Sequence, residues 1–135
     1  MKNIFAKGDL KEYQKEVQSG EIAAFDSGTV HQVYSTFSIA KDAEWSGRLF
    51  VLDMLEDGEE GIGTRISIDH KSPAFVGEKV KFVSSFEEIT AKGEVLTSYK
   101  AYVGTRLIAE GSQGQRILPK VKIDEIFARI LSELD

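Results

Sequence analysis

The stretch that decides the fold is residues 36–57, TFSIAKDAEWSGRLFVLDMLED. Ala40, Ala43, Gly47, Phe50, Val51, Met54 and Leu55 recur at three- and four-residue spacings and make one apolar stripe, the signature of an amphipathic helix. Ser35 or Thr36 can supply the N-cap, and Gly58 stands where a C′ glycine would end the helix. The small residues Ala40, Ala43 and Gly47 lie along the stripe, so a flat partner such as a sheet can approach closely.

Beyond Gly58 the period changes to two. In residues 61–70, GIGTRISIDH, the side chains of Ile62, Thr64, Ile66, Ile68 and His70 share one parity and Arg65, Ser67 and Asp69 the other. Strand geometry then turns His70 to the side of three isoleucines, toward the interior. Pro73 and Gly77 stop this strand. Further strands are expected over 78–89, 93–104 and 105–117, with Gly93 and Gly104 at tight turns. Gly111-Ser112-Gln113-Gly114 reads as a bulge within the last of them. Pro119 closes the sheet region, and 121–134 reads as a second amphipathic helix. Upstream, 1–9 reads as a loose arm, 10–18 as a short helix or an edge strand, and 19–35 as a short strand followed by loop. Consecutive hairpins imply an antiparallel meander, and the only long apolar helix must cover one face of it. The layout is an α+β domain with a helix on an antiparallel sheet.

At 135 residues the chain reads as one domain, 1–135. A net charge of −5 and the lack of any Lys/Arg run argue against a nucleic-acid partner. There is no cysteine, so thiolate metal sites and cysteine nucleophiles are excluded. Two histidines far apart in sequence are too few for a histidine-rich metal site. No apolar leader and no membrane span is legible, so the cytosol is the expected compartment. Gly61-Ile62-Gly63-Thr64 lacks the following helix a phosphate-cradling loop needs, and no G-x-S-x-G nucleophile elbow occurs.

Three side chains could carry chemistry. Glu44 projects on the flank of the helical stripe, where partial burial would raise its pKa unless a charge pairs with it. Spacing alone favours a simpler role, an ion pair with Arg48 at i+4 or Lys41 at i−3. Thr36 stands eight residues earlier, about 12 Å along the axis. It is an N-cap, or a hydroxyl that orients a substrate carbonyl beside free helix N–H groups. His70 is a packed histidine or a catalyst. Asp69 points to the opposite face and cannot readily pair with it. His31 is expected in an exposed loop, and Arg116 is an ion-pair partner or an anion contact.

These residues resemble a known pattern. Tyr34-Ser35-Thr36, then Glu44-Trp45, then Gly63-Thr64 leading to His70, then Pro73 and Gly77, is similar to the fluoroacetyl-CoA thioesterase-like family of hot dog proteins. The likeness runs from about residue 33 to 117 and includes Val103-Gly104-Thr105-Arg106-Leu107-Ile108-Ala109-Glu110-Gly111. The resemblance implies the hot dog fold, in which a curved antiparallel sheet wraps a long central helix. It also implies a homodimer, with assembly beyond the dimer left open, and acyl-CoA sites at the subunit interface. It assigns catalysis to Thr36, Glu44 and His70, and substrate contacts to Gly63, Phe37 and Arg116. No metal and no cofactor is implied, CoA being part of the substrate. Phe37 is bulkier than the expected small residue, and residues 25–33 carry no clear counterpart of the family's aromatic lid. Both departures point to an acyl group other than fluoroacetyl.

The reaction so implied is hydrolysis of an acyl-CoA thioester, with helix N–H groups as an oxyanion hole and His70 as general base and then acid. A non-catalytic acyl-CoA or small-ligand binding protein on the same fold is the alternative. A hot dog hydratase would carry a helix-borne Asp-His pair, which the sequence lacks. In the purely structural reading, Thr36 caps, Glu44 pairs and His70 packs.

Overall fold

The computed structural model of the chain describes residues 1–25 and 28–134; Asp26, Ser27 (both within the stretch that lacks a lid counterpart) and Asp135 lie outside the described residues. Strands β1 (Leu10–Glu16), β2 (Ile22–Phe25) and β3 (Gly28–Tyr34) lead into helix α1 (Thr36–Met54). Then follow β4 (Glu59–Ile66), β5 (Asp69–His70), β6 (Lys79–Ile89), β7 (Glu94–Val103), β8 (Arg106–Pro119) and helix α2 (Lys120–Ser132). The main sheet is antiparallel in the order β1-β6-β7-β8-β4, and β5 continues β4 along the same side of β8. β2 and β3 form a separate hairpin. The helix lies against the curled sheet, which is the hot dog arrangement.

Period-two patterning sets the sheet face. Val80, Phe82, Ser84 and Phe86 on β6 and Val95, Thr97, Tyr99 and Ala101 on β7 are buried beneath α1. From the helix, Ile39, Ala43, Phe50, Val51 and Met54 meet them. Phe50 is fully buried, worth about 2–3 kcal/mol of transfer free energy. Gly47 is where the helix comes closest: a Cβ there would overlap the Gln113 amide nitrogen and stand 2.6 Å from Thr97 Oγ1. The stripe also holds Asp42 and Ser46, both buried, which hydrophobicity alone does not announce.

Several expectations are corrected. The helix stops at Met54, with Leu55 already extended. Gly58 ends no helix; it turns the chain into β4 with φ +80°. The first nine residues are docked, not loose. Lys2 N–H donates to Met54 O (2.7 Å), Gly8 N–H to Phe86 O (2.9 Å), and the Phe5 ring meets Phe50 edge-on at 4.9 Å. Residues 10–16 resolve as an edge strand, and the 19–35 segment ends as a hairpin, not a loop. The strand expected over 61–70 is broken into β4 and β5.

The side that β4 presents is also corrected. Gly61 and Gly63 face the helix, because a Cβ on Gly61 would stand 2.6 Å from Val51 Cγ1 and one on Gly63 would overlap Glu44. Thr64 is on the far face, bonded to Glu94. The register with β8 slips between Gly63 and Arg65, so the bulge in this pair falls on β4, and the irregularity of β8 itself lies at Ile108, opposite Ala101 and Tyr102, rather than at Gly111–Gly114. One extra residue flips the phase. Beyond it Ile66 and His70 pair with Gln113 and Ala109, which lie on the helix side.

Candidate active site

α1 begins cleanly because Ser35 caps it, its hydroxyl accepting from Ser38 N–H at 3.1 Å. Thr36 is therefore the first helical residue, not the cap, and its side chain is available for other work. β5 ends beside it. Thr36 Oγ1 and His70 Nε2 lie 3.0 Å apart. With Nε2 unprotonated the threonine hydroxyl donates to the ring; with it protonated the ring donates. Both residues are exposed at the rim of the sheet. His70 thus takes the expected face of the strand but not the expected interior position.

Glu44 is exposed as well, rather than partly desolvated. Its carboxylate stands over the backbone of Gly63 and has no hydrogen bond or ion pair among the described residues. The simpler role expected for it, an ion pair with Arg48 or Lys41, is not formed with either, and Arg48 is committed elsewhere. Arg48 donates to Gly61 O (3.0 Å), Gln115 Oε1 (3.1 Å) and Glu60 Oε1 (2.6 Å), tying α1 to β4 and β8. That Arg48 hydrogen bond, with the Gly61 N–H, holds the Glu60 carboxyl below the usual range.

Thr36, Ala40 and Glu44 follow one another at i+4 along α1, opposite β5 and β4. A hollow of about 310 Å³ lined by Ala40, Glu44, Gly63 and Ile66 joins the Glu44 end to the middle of this groove. Next to it, a space of about 590 Å³ is lined by Lys15, Lys41, Glu44, Trp45 and Arg48. At the other end, Thr36 and His70 open on a third hollow of about 360 Å³. Within one protomer the groove holds Thr36–His70 and Glu44–Gly63 as two ends, about 12 Å apart by helical rise.

The remaining expected contacts divide. Phe37 is two-thirds exposed at the same helix start. Arg116 is not brought to the groove: it alternates with the helix-facing Gln115 and Ile117, so it lies on the far side of the sheet, across from Ile62 and Glu94 in register.

A second polar cluster escaped the sequence reading. Asp42 is buried and receives the Tyr34 hydroxyl, with Lys15 Nζ at 2.9 Å; Lys15 also contacts Glu21. Burial pushes the Tyr34 phenol far above its usual range, and Asp42 adds to it. Burial pulls Lys15 down, but Glu21 and Asp42 outweigh it and hold the ammonium above its ordinary value. The legible signal was Asp42 three residues after Ile39, inside the buried stripe. No group of three or more metal-ligating side chains occurs among the described residues.

With this geometry in view, the relatives become decisive. The model of the family described as fluoroacetyl-CoA-specific thioesterase matches residues 17–121. The chain belongs to that family. It is a thioesterase of hot dog fold, acting in general terms on acyl-CoA thioesters. A hypothetical protein of Thermus thermophilus, described as a thioesterase superfamily member, is similar to it at 32% identity, covering 96% of each chain with a TM-score of 0.91. The fluoroacetyl-CoA thioesterase FlK shares 16% identity over 98% of this chain and 100% of its own, with a TM-score of 0.84. A hot-dog-like protein from Thermanaerovibrio acidaminovorans shares 18% over 97% and 94%, with a TM-score of 0.82. These last two are likenesses of fold. No curated protein matches the chain significantly. No helix among the described residues is long and apolar enough to cross a membrane.

Proposed function

We propose that this family member hydrolyses an acyl-CoA thioester to free acid and CoA, with His70, Thr36 and Glu44 as its working side chains. The observation that carries the reading is the Thr36–His70 hydrogen bond at the N-terminus of α1. The thioester carbonyl points at that helix end, where the dipole favours the oxyanion that develops. His70 takes a proton from water as it attacks the carbonyl carbon. The C–S bond then breaks, and the imidazolium returns the proton to the departing thiolate. Thr36 holds the ring in orientation. Gly63, with no side chain, leaves Glu44 room above the strand to orient the water or to attack as nucleophile. Phe37 flanks the acyl-CoA at the helix start.

The two ends of the groove argue for a homodimer. A two-fold axis near Ala40 and Ile66, across the unpaired outer edge of β4, would swap the ends. One protomer's Glu44 would then face the other's Thr36–His70, giving two composite sites. The exposed Ile66 and Trp45 at this edge fit such an interface.

The test is release of CoA from a panel of acyl-CoAs, followed with a thiol reagent, alongside the molar mass in solution. Hydrolysis above background that falls about 100-fold or more in His70→Ala, with Thr36→Ala and Glu44→Ala also impaired and the assembly unchanged, supports the reading. Binding of acyl-CoA with no CoA released would make the chain a binding module and overturn it. In ¹⁸O-water, label entering the Glu44 carboxylate would identify it as the nucleophile.

A further inference from the structure

The hollow beside Thr36 and His70 is also lined by residues the hydrolase reading has not used. Its walls are the β2–β3 hairpin, which contributes His31, and the segment after β5, which contributes Lys71 and Ser72. Tyr34 N–H donates to Ala74 O at 2.9 Å and ties these two walls together. Ile39 and Ala74, both buried, give it an apolar floor. The chain's two histidines, remote in sequence, thus line a single cavity.

Its charges, together with its place beside Thr36 and His70, suggest what it could hold. The chain carries 22 Asp and Glu against 17 Lys and Arg. The two hollows nearer Glu44 include carboxylates among their walls. This one, among the described residues, includes none, while three groups able to carry positive charge, His31, His70 and Lys71, line it. Two other hollows are also free of carboxylates, but they lie away from Thr36 and His70; a carboxylate-free cavity that opens on this pair and is lined by such groups presents a local site for an anion of the substrate. His70 is engaged with Thr36, which leaves His31 and Lys71 for the ligand. At about 360 Å³ the cavity is at the small end of ligand sites, of a size for a short acyl chain rather than for the nucleotide of CoA.

We propose that His31 and Lys71 bind an anionic group of the substrate, the terminal carboxylate of a short dicarboxylic acyl chain whose thioester lies at His70. This rests on the hydrolase reading above and deepens it by naming the acyl class. CoA carries anions of its own, its phosphates, and the experiment separates the two sources.

Three thioesters serve as probes: succinyl-CoA, butyryl-CoA of the same chain length, and butyryl-pantetheine, which has no nucleotide phosphates. Each is assayed for turnover, and each for equilibrium binding, with wild type, His31→Gln, Lys71→Gln, the double variant and Lys71→Arg, all checked for native thermal unfolding. The expected result is a loss of about tenfold or more in kcat/KM for succinyl-CoA in the double variant. Butyryl-CoA should change less than about twofold, and Lys71→Arg should retain most of the succinyl-CoA activity. A fall for both CoA esters with butyryl-pantetheine spared would keep the anion site and reassign its ligand to a CoA phosphate. Equal effects on all three probes, or none, would overturn the proposal. Tighter binding of succinyl-CoA than butyryl-CoA, lost in the double variant but without turnover of any ester, would keep the anion site and refute the hydrolase.

Discussion

The carboxylate of Glu44 stands so close over Gly63 that a single methyl group on the strand would overlap its Oε1. Neither residue is covered by the rest of the protomer, so the contact governs the carboxylate's position without bearing on the core. Gly63→Ala should therefore displace Glu44 and lower kcat for thioester hydrolysis by about 10- to 100-fold. The thermal midpoint should stay near that of the wild type. A variant of unchanged kcat would show that Glu44's seat above the strand is irrelevant to turnover.

Gly47→Ala should act the opposite way. A Cβ there would overlap the Gln113 amide, which donates to Thr97 Oγ1 at 2.7 Å in a fully buried pair. Helix and sheet must separate or the amide must lose its partner, for about 1–3 kcal/mol of destabilisation. Urea unfolding would measure it, and an alanine variant as stable as the wild type would contradict the packing described.

The Tyr34–Asp42–Lys15 cluster predicts an order of effects. Asp42→Asn removes the more buried of the two carboxylates that Lys15 faces, Glu21 remaining, and should lower stability by about 3 kcal/mol. Tyr34→Phe removes one donor and should lower it by about 1–2 kcal/mol. Denaturant midpoints would reveal the ranking, and a reversed order would mean that the hydroxyl, not the charge pair, organises the cluster.

Acid should weaken the fold through identifiable carboxylates. The Arg48 hydrogen bond holds Glu60 below its ordinary 4.5. Burial alone would raise Glu21, but Lys15 and the Gln18 N–H outweigh it and hold it below 4.5. A carboxyl depressed in the folded state contributes stability above its unfolded value and loses it as pH falls through the folded one. Stability measured by urea unfolding should therefore decline as pH drops below about 4.5. Arg48→Met should flatten that decline by removing the Glu60 part. A decline equally steep in the variant would mean that Glu60 takes no part in it.

The helix and the meander were legible in the sequence, because each leaves a local mark; that Thr36 and His70 belong to one site was implied only by the family resemblance, and their hydrogen bond is a property of the fold. Ala43, Gly47, Phe50, Val51 and Met54 mark the buried stripe, and Gly93 and Gly104 take the positive φ that their hairpin turns require. The docking of Phe5 on Phe50 was not legible, since an apolar residue near a terminus carries no sign of its partner. The face of β4 was misread for a related reason. The Ile/Thr alternation suggested a single phase, whereas the glycines of the other parity are the ones pressed against α1.

Hydrophobic period by itself determined the two helices and the three long strands after Gly77, because burying one side of each element imposes a repeat of 3.6 or of two; it did not determine the elements before Thr36 or the break between β4 and β5. Only the tertiary structure decided which side of β4 meets the helix, that Arg48 binds Glu60 and leaves Glu44 unpaired, and that His31 shares a cavity with His70. A one-residue bulge changes the phase without changing local composition. Contacts between residues far apart in the chain depend on how whole elements pack, a property no short window of sequence contains.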